Sequence, residues 1–424
     1  MMDFFSKGLK ALDSFFHTPV WGSWILDWQL AICIPLLLLA YFLPRKPRSF
    51  LLLFYSFIFI GVLASLKYFL LFVGVGLFFY YFHYFIQDKS WKSTASWIVV
   101  GLMIAAFFLF LNAPALQSPW TGAKVHAFGI SYTLFRWIAF TVDVGKGMRL
   151  SGNPLEFMSY AFFYPTFFQG PIDRYQDFVS NNLSQRQPLT FKIVAENILR
   201  IAGGIFKAWI VKTYLELDWV HYFNYPQDLS YSYLWWGMYA RAISFYLLVS
   251  ACNDLSIACC RLGGFKVPEN YNFPYFRRNL AEFWRNWHMS LMNILREYLY
   301  IPLGGNRRHV YFNYFVIFMF VAMWHVTSEA FVLWGLMHAL GMCFLRMWKN
   351  FWKRVESFSP DHFFKKLQNL ARKFPKTTFT FSMIITFHFV ALTWLPFWGG
   401  HPQGLSMILR ILSGNRITLF IWEP

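Results

Sequence analysis

Residues 68–86 read YFLLFVGVGLFFYYFHYFI, a run of 19 residues without a Lys, Arg, Asp or Glu. A helix of about 20 apolar residues is what crossing the hydrocarbon core of a bilayer requires. Similar runs recur along the chain, and together they predict an all-α polytopic membrane protein. The candidate spans are 28–43, 50–66, 68–86, 97–112, 127–142, 232–251, 311–325, 329–348 and 377–398.

The composition supports the same class. Of the 424 residues, 57% are hydrophobic and 22% are aromatic, whereas only 14% carry a charge. A water-soluble core of this size cannot enclose so much aromatic surface without leaving large apolar patches outside. A soluble enzyme, a secreted disulfide scaffold and a disordered chain are therefore excluded. No long charged block interrupts the apolar runs, so we expect a single membrane domain over 28–424.

The charge is strongly positive, with 38 Lys and Arg against 20 Asp and Glu and a net charge of +18. In membrane proteins such an excess collects in short cytoplasmic loops, so it indicates orientation rather than nucleic-acid binding. The basic turns near Arg45, Lys89 and Lys146 are predicted to be cytoplasmic, with the N-terminus outside. Residues 349–376 carry eight Lys or Arg and two carboxylates, which predicts another cytoplasmic loop.

Residues 1–27 carry charges before any long apolar run begins, which argues against a signal peptide. Phe5, Leu9, Leu12 and Phe16 recur at helical spacing and form one apolar stripe. The segment is therefore predicted to be an interfacial helix at the membrane surface.

Three other segments do not fit regular spans. Residues 157–169 are apolar but contain a proline, so they are predicted to enter the membrane without crossing it as a regular helix. Segment 192–207 has charges along one face, and Gly203 and Gly204 predict a break in its middle. Residues 270–310 combine Arg with aromatic side chains and are predicted to form an amphipathic helix followed by a glycine turn.

The cysteines have no CxxC spacing and lie in apolar stretches, so buried free thiols are predicted rather than a disulfide framework. They are Cys33, Cys252, Cys259, Cys260 and Cys343. No metal site is predicted either, because the histidines are not spaced as helical ligand pairs.

Three histidines are candidates for chemistry, since ionisable groups in membrane segments are costly and often functional. His288 lies in FWRNWHMSL (283–291), His325 ends an apolar run, and His338 lies among small residues. Each could be a neutral imidazole that hydrogen-bonds a neighbouring helix. Each could also be a general base, because the ordinary imidazole pKa lies close to working pH. A Ser-His-Asp hydrolase is not supported, since GxSxG is absent.

Seven stretches between residues 127 and 345 form a combination that is specific to one family. They are FGISYTLFR (128–136), YPTFFQGPIDRY (164–175), PENYNFPY (268–275), FWRNWHMSL (283–291), YLYIPLGGNRR (298–308), MWH (323–325) and FVLWGLMHALG (331–341). In them the chain resembles the membrane-bound O-acyltransferases, in the bacterial branch of teichoic-acid D-alanylation and alginate O-acetylation proteins.

The resemblance implies a ring of about eleven tilted transmembrane helices around a central tunnel, with re-entrant and interfacial helices. His325 matches the catalytic histidine of the family and is expected to be the general base, with His288 as the second histidine. The side chains expected to bind substrate are Arg285, Arg296, Arg307, Asp173, Asp254 and His338.

The implied reaction moves a D-alanyl or acetyl group from a cytoplasmic thioester to a hydroxyl of an extracytoplasmic envelope polysaccharide or polymer. The donor is expected to be acyl carrier protein phosphopantetheine or acetyl-CoA, with no tightly bound cofactor. The expected partners are the bilayer of the bacterial inner membrane, an acidic carrier protein or acyl-CoA, and a glycopolymer or partner transferase. Two alternatives remain open: a transporter or flippase of an acylated intermediate, and a non-catalytic scaffold of an acylation complex.

Overall fold

The computed structural model describes residues 34–64, 66–111, 130–167, 170–185, 187–215, 222, 228–325, 328–360, 362–399 and 403–413. Within these ranges the chain forms helices and connecting segments and no strand, which confirms the predicted all-α class. The α-helices are α1 (Ile34–Phe42), α2 (Arg45–Ala64), α3 (Leu66–Ile86), α4 (Lys92–Leu111), α5 (Ile130–Gly145), α6 (Pro154–Ala161), α7 (Tyr175–Phe178), α8 (Phe191–Ile210), α9 (Tyr231–Leu262), α10 (Leu280–Asn286), α11 (Met289–Leu295), α12 (Val310–His325), α13 (Glu329–Val355), α14 (Phe363–Lys373), α15 (Pro375–Gly399) and α16 (Gln403–Ser413).

Each of the nine predicted spans contains an α-helix. Four helices in the described part of the chain, α4, α9, α13 and α15, are long and apolar enough to cross a membrane. This confirms a multi-pass membrane protein. Helix α9 runs to Leu262 rather than ending near residue 251, because the polar side chains Asn253 and Asp254 find partners within the protein and do not stop the helix.

Some predictions stay untested by the structure. The interfacial helix at 1–27 and Cys33 lie outside the described residues. The single membrane domain over 28–424 and the ring around a central tunnel stay predictions. The four other cysteines are free thiols, and Cys259, Cys260 and Cys343 are buried.

The chain divides into two compact units. The first comprises Met1–Tyr214 and Leu247–Asn270, and the second comprises Leu215–Tyr246 and Tyr271–Pro424. The core of the first unit is aromatic: the ring of Phe157 lies 4.5 Å from that of Phe140 and 5.9 Å from that of Phe79, measured between centroids.

Arg48 belongs to a predicted basic turn, but its side chain is buried within the first unit. Its guanidinium donates to the carbonyls of Ala40 (3.0 Å), Leu43 (3.0 Å) and Asn182 (2.8 Å). Ala40 is one of the last residues of α1 and Leu43 follows its end, where helical carbonyls lack intrahelical donors. Arg48 therefore completes the end of this helix instead of contributing a solvated loop charge.

The predicted break at Gly203 and Gly204 is wrong, because α8 continues through both residues. A Cβ on Gly204 would lie 3.3 Å from the carbonyl oxygen of Ala251 and 3.4 Å from Leu255, whereas a Cβ on Gly203 would meet nothing within 4 Å. Gly204 thus permits close packing of α8 on α9, which is the common use of small residues between membrane helices.

The predicted single amphipathic helix within 270–310 is also wrong. The segment forms two separate helices, α10 and α11, with His288 between them. The φ angle of His288 is +47°, a left-handed conformation that a continuous right-handed helix cannot contain. The predicted glycine turn is confirmed, since Gly304 and Gly305 both have positive φ.

The predicted loop at 349–376 contains more regular structure than expected. Helix α13 continues to Val355, and α14 occupies most of the connection to α15.

In the first unit, the predicted irregular segment 157–169 is confirmed as a broken one. Its helix ends at Ala161 and is followed by a short 3-10 turn at Tyr164–Thr166.

Candidate functional site

His325 is the last residue of α12, in the second unit, and the residue is partly exposed. Four aromatic rings surround it: Trp324 at 4.3 Å, Phe397 at 5.1 Å, Phe331 at 5.8 Å and Trp334 at 6.3 Å between centroids. The immediate surroundings of the imidazole are therefore largely aromatic.

His288 lies at the junction between α10 and α11, where its left-handed backbone turns the chain. Its carbonyl accepts from the backbone N–H of Met292 at 3.0 Å, which begins the next helix. Left-handed geometry is uncommon for a residue with a side chain and is concentrated at functional sites. His288 is 8% exposed. Because of its left-handed backbone, its side chain leaves the main chain in a different direction from that in a continuous helix.

Trp324 brings the two histidines together. Its ring lies 4.3 Å from that of His325 and 6.3 Å from that of His288, measured between centroids. The ring of Tyr271 lies 6.1 Å from His288 on another side. Two imidazoles that the sequence separates by more than thirty residues therefore share one aromatic neighbour.

His338 differs from the other two because it is fully buried within the second unit and both of its ring nitrogens have partners in the protein. The indole N–H of Trp284 donates to Nδ1 at 3.3 Å, and the hydroxyl of Thr393 lies 3.0 Å from Nε2. The same hydroxyl donates to the carbonyl of Val390 at 2.7 Å. The substrate-binding role of His338 stays a prediction, and its surroundings are those of a residue that joins α10, α13 and α15.

The predicted arginines are exposed. Arg285 lies in α10, where its Nε donates to the carbonyl of Ala281 at 3.3 Å and its guanidinium lies 4.0 Å from the carboxylate of Glu282. Arg296 follows α11 and is exposed to solvent. Both flank the α10–α11 junction that carries His288, and their donor-binding role stays a prediction.

Asp254 lies in the first unit, where it joins two cations of α8. Its carboxylate pairs with Arg200 at 2.8 Å and with Lys207 at 2.5 Å. Lys207 also donates to the hydroxyl of Ser250 at 2.8 Å, one helical turn before Asp254. The carboxylate is thus engaged by the protein itself, and its substrate-binding role stays a prediction.

Glu269 extends this network at the end of the first unit. Arg200 forms a bidentate pair with it, and Arg261 donates to it at 2.8 Å. Burial alone raises the pKa of Glu269, but the hydrogen bonds and charges of the two guanidinium groups outweigh burial, so its pKa lies below the ordinary value. The carboxylate therefore stays ionised and ties α8 to the segment that follows α9.

Asp173 lies in the connection before α7 and is partly exposed. Its Oδ1 accepts from the backbone N–H of Arg174 at 2.9 Å, and its carbonyl accepts from the hydroxyl of Tyr160 at 3.1 Å. Burial raises its pKa to about 7, against the opposing effect of that backbone hydrogen bond. Its substrate-binding role also stays a prediction.

Arg136 was missed among the candidates, although it is a cation inside an apolar run and ends the stretch FGISYTLFR. It is buried, and its guanidinium donates to the carbonyls of Tyr160 (3.4 Å), Ala161 (3.3 Å) and Thr166 (3.1 Å) and to the hydroxyl of Thr166. These groups flank the break between α6 and the 3-10 turn. Arg136 therefore satisfies the backbone that the break leaves without helical partners.

The predicted site residues thus fall in two places. The second unit contains His288, His325, His338, Arg285, Arg296 and Arg307, whereas the first contains Asp173 and Asp254. Within the second unit, the three histidines are linked through aromatic rings, because Trp334 contacts His338 at 4.7 Å as well as His325. In the described part of the chain, no group of three His, Cys, Asp or Glu is arranged to hold a metal ion.

Comparison with known proteins identifies the same region. The model of the membrane-bound O-acyltransferase family matches residues 148–363, about half of the chain. This range includes both histidines that contact Trp324, and it ends where α14 begins.

Three curated relatives are similar over much of the chain. The probable alginate O-acetylase AlgI of Pseudomonas aeruginosa is 29% identical over 339 residues, which cover 75% of this chain and 64% of that protein. The teichoic acid D-alanyltransferase of Bacillus subtilis is 27% identical over 330 residues, 73% of this chain and 79% of that protein. The peptidoglycan O-acetyltransferase of Helicobacter pylori is 26% identical over 268 residues, 61% of this chain and 46% of that protein. The chain therefore spans less than two thirds of the length of the Pseudomonas and Helicobacter proteins.

Proposed function

This chain belongs to the membrane-bound O-acyltransferase family, and from that premise we propose that it is an acyltransferase that moves a D-alanyl or acetyl group to a hydroxyl of a cell-envelope polymer. The observation that carries the proposal is the shared contact of His288 and His325 with Trp324. Relatives named for O-acetylation and for D-alanylation support acyl transfer in general.

In the proposed reaction, His325 is the general base. A ring nitrogen takes the proton of the acceptor hydroxyl as the oxygen attacks the carbonyl carbon of the thioester. The tetrahedral intermediate collapses when the carbon–sulfur bond breaks, and the imidazolium returns its proton to the departing thiolate. The products are the ester and a free thiol, so no covalent enzyme intermediate is required. The contact of His325 with Trp324, which also contacts His288, supports this role.

His288 is the proposed partner of the base. Its backbone is held in the left-handed conformation by the start of α11, so the ring position is set before any substrate binds. A preset donor beside the reacting carbonyl stabilises the negative charge that develops on its oxygen. We assign His288 to orient the acceptor or polarise that carbonyl, and Arg285 and Arg296 to position the donor.

The donor in this proposal is a thioester, carried by acyl carrier protein phosphopantetheine or by coenzyme A, that arrives from the cytoplasmic side of the inner membrane. The acceptor is a glycopolymer hydroxyl on the other side, reached directly or through a partner transferase. A tunnel that reaches the histidines from both membrane faces is part of the proposal. The positive net charge supports an anionic donor on the cytoplasmic side.

The test uses the purified full-length protein in vesicles, with a radiolabelled thioester and the envelope polymer supplied separately. His325→Ala is expected to reduce acyl transfer by a factor of about 100 or more, the usual contribution of a general base. His309→Asn is the matched control, since His309 is exposed and also has a positive φ that Asn tolerates. It is expected to keep transfer unchanged.

Each rival predicts a different result in the same assay. A transporter moves the acylated compound across the vesicle without releasing free thiol, whereas an acyltransferase releases one thiol for each acyl group transferred. A scaffold supports transfer equally well with both His288 and His325 replaced. Retained turnover in that double variant, at normal folded yield, removes the two histidines from the proposed chemistry.

A further inference from the structure

Helix α14 (Phe363–Lys373) lies between two candidate membrane spans, α13 and α15. Helices α13 and α15 belong to the same unit. As two consecutive candidate spans they place the connection between Val355 and Pro375 at a single membrane face. A helix within this short connection stays close to that face.

The two faces of α14 differ sharply. At helical spacing, Phe363, Leu367 and Leu370 share one face, and each of them is exposed in the protein alone. None of the eleven residues of the helix is buried. Lys366 and Lys373 border this face, three or four residues from Phe363 or Leu370, whereas Lys365 and Arg372 lie opposite it. An apolar stripe bordered by lysines is the pattern of a helix that lies in a membrane interface.

Hydrogen bonds hold α14 in place against the end of α13. Arg372 pairs with the carboxylate of Glu356 at 2.8 Å, and Lys365 donates to the carbonyl of Glu356 at 2.9 Å. The side-chain amide of Gln368 donates to the carbonyl of Trp352 at 3.0 Å. The orientation of both faces is therefore set by the protein.

The apolar face of α14 continues the outer surface of α13. Ring contacts run from Phe344 to Trp348 (6.0 Å), from Trp348 to Phe351 (6.1 Å) and from Phe351 to Phe364 (5.2 Å). Phe344 and Trp348 are exposed on a candidate span, where lipid is the neighbouring medium. Aromatic residues are enriched at such interfaces. A row of aromatic rings thus connects the exposed side of α13 to Phe364 at the start of α14.

We propose that α14 is an interfacial helix that binds anionic phospholipid headgroups. Its apolar face enters the boundary of the acyl chains, and Lys366 and Lys373 at the edge of that face, together with the cations at the end of α13 and the start of α15, form a basic surface at headgroup level. Residues 349–376 carry eight Lys or Arg and two carboxylates, so the charge complementarity is with an anionic leaflet.

A soluble acidic carrier protein fits this surface less well. An acidic carrier protein would pair with the lysines but would leave the exposed rings of Phe363 and Trp348 in water. A second copy of the chain would bring two strongly basic segments together, which like-charge repulsion opposes. Binding of an acidic carrier protein and association with a second copy are therefore alternative outcomes of the test.

The charge test measures lipid retention by the full-length protein. The protein is reconstituted in vesicles of phosphatidylcholine and phosphatidylglycerol, extracted with its bound lipid, and analysed by mass spectrometry. Phosphatidylglycerol is expected to be enriched about twofold over the bulk mixture and to fall toward the bulk ratio in K366Q/K373Q, which keeps the contacts of Lys365 and Arg372 with Glu356. The charge-conserving control K366R/K373R is expected to keep the enrichment. An unchanged ratio in the glutamine variant overturns the proposal.

The depth test compares two adjacent positions. Leu370→Cys places a thiol on the apolar face and Asn369→Cys places one on the polar face, with wild type as the background for native thiols. A membrane-impermeant maleimide is expected to label Asn369→Cys and to leave Leu370→Cys protected in vesicles. Equal labelling of the two overturns the proposal. It is also overturned if the protection depends on protein concentration, which indicates a second copy, or if the glutamine variant loses only the capture of an acidic acyl carrier protein.

Discussion

The indole N–H of Trp284 donates to Nδ1 of His338 across 3.3 Å, although the two residues are 54 positions apart. An indole can only donate, so Nδ1 must be an acceptor without a proton. In a neutral imidazole the proton is then on Nε2, which donates to the hydroxyl of Thr393, and this hydroxyl donates to the carbonyl of Val390. The tautomer of His338 is thus defined by its neighbours.

This chain of hydrogen bonds should contribute to stability rather than to turnover. Thr393→Val removes the acceptor for the imidazole N–H, and Trp284→Phe removes the donor to Nδ1 while keeping a ring in place. Each is expected to lower the free energy of unfolding by about 1–3 kcal/mol, the cost of leaving one buried polar partner unsatisfied. Thermal unfolding of the purified protein measures this. An unchanged midpoint in both variants contradicts the assigned hydrogen bonds.

The left-handed backbone at His288 predicts that substitutions of this residue affect stability and acyl transfer differently. Asn and Gly adopt positive φ readily, whereas Val does not, and the difference is about 1–2 kcal/mol. His288→Asn and His288→Gly are therefore expected to fold normally, and His288→Val to be less stable by about that amount. All three lack the imidazole and are expected to lose acyl transfer. If the valine variant is as stable as the asparagine one, the backbone conformation at this residue is not the one described.

The ion pairs of Asp254 predict that its substitution lowers the stability of the first unit. Asp254→Asn removes the carboxylate that Arg200 and Lys207 share. Arg200 keeps its pair with Glu269, whereas Lys207 loses its carboxylate partner, and breaking a partly buried pair of this kind costs about 3 kcal/mol. Adding Lys207→Met to that variant is expected to restore part of the loss, because one unpaired cation is removed with it. Glu196→Gln is the control on the same helix. Its pair with Lys192 is exposed at 3.9 Å and should contribute less than about 1 kcal/mol.

The raised pKa of Asp173 predicts that the stability of the protein depends on pH. Its folded-state pKa is raised to about 7, above the ordinary value of an unfolded Asp near 4. The stability that the neutral carboxyl provides is complete below about pH 4 and is lost as pH rises through about 7. Asp173→Asn cannot ionise, so unfolding followed by fluorescence should show a smaller decline over that range than in wild type. An identical decline in both proteins shows that another group is responsible.

The spans were predictable because their cause is local. A run of uncharged residues prefers lipid wherever it occurs, and a helix satisfies its own backbone, so neither requires knowledge of distant residues. The breaks were less predictable. The periodicity of aromatic residues continues through His288, so only the observed backbone shows that the helix divides there. The pair Gly203 and Gly204 wrongly predicted a break in α8. The packing that explains Gly204 is not visible in the local sequence, because the part of α9 that contacts it is far away along the chain.

The candidate histidines were found from their motifs, but their surroundings were not. His325 and His288 stand out as polar groups in apolar stretches. Trp324 belongs to the MWH motif beside His325, but nothing in the sequence indicates that its ring also contacts His288. Arg136 carried a visible signal, a cation within an apolar run, and its partners are carbonyl groups that no side-chain pattern reveals.

The order of residues alone was sufficient to establish that this is a helical membrane protein and which two imidazoles are the candidates for chemistry, because hydrophobic length and motif identity are properties of short segments. Which histidine is enclosed by partners and which is partly exposed depended on folding. Trp284, His338 and Thr393 meet only when three helices pack together, since hydrogen bonds act over about 3 Å in space regardless of separation along the chain.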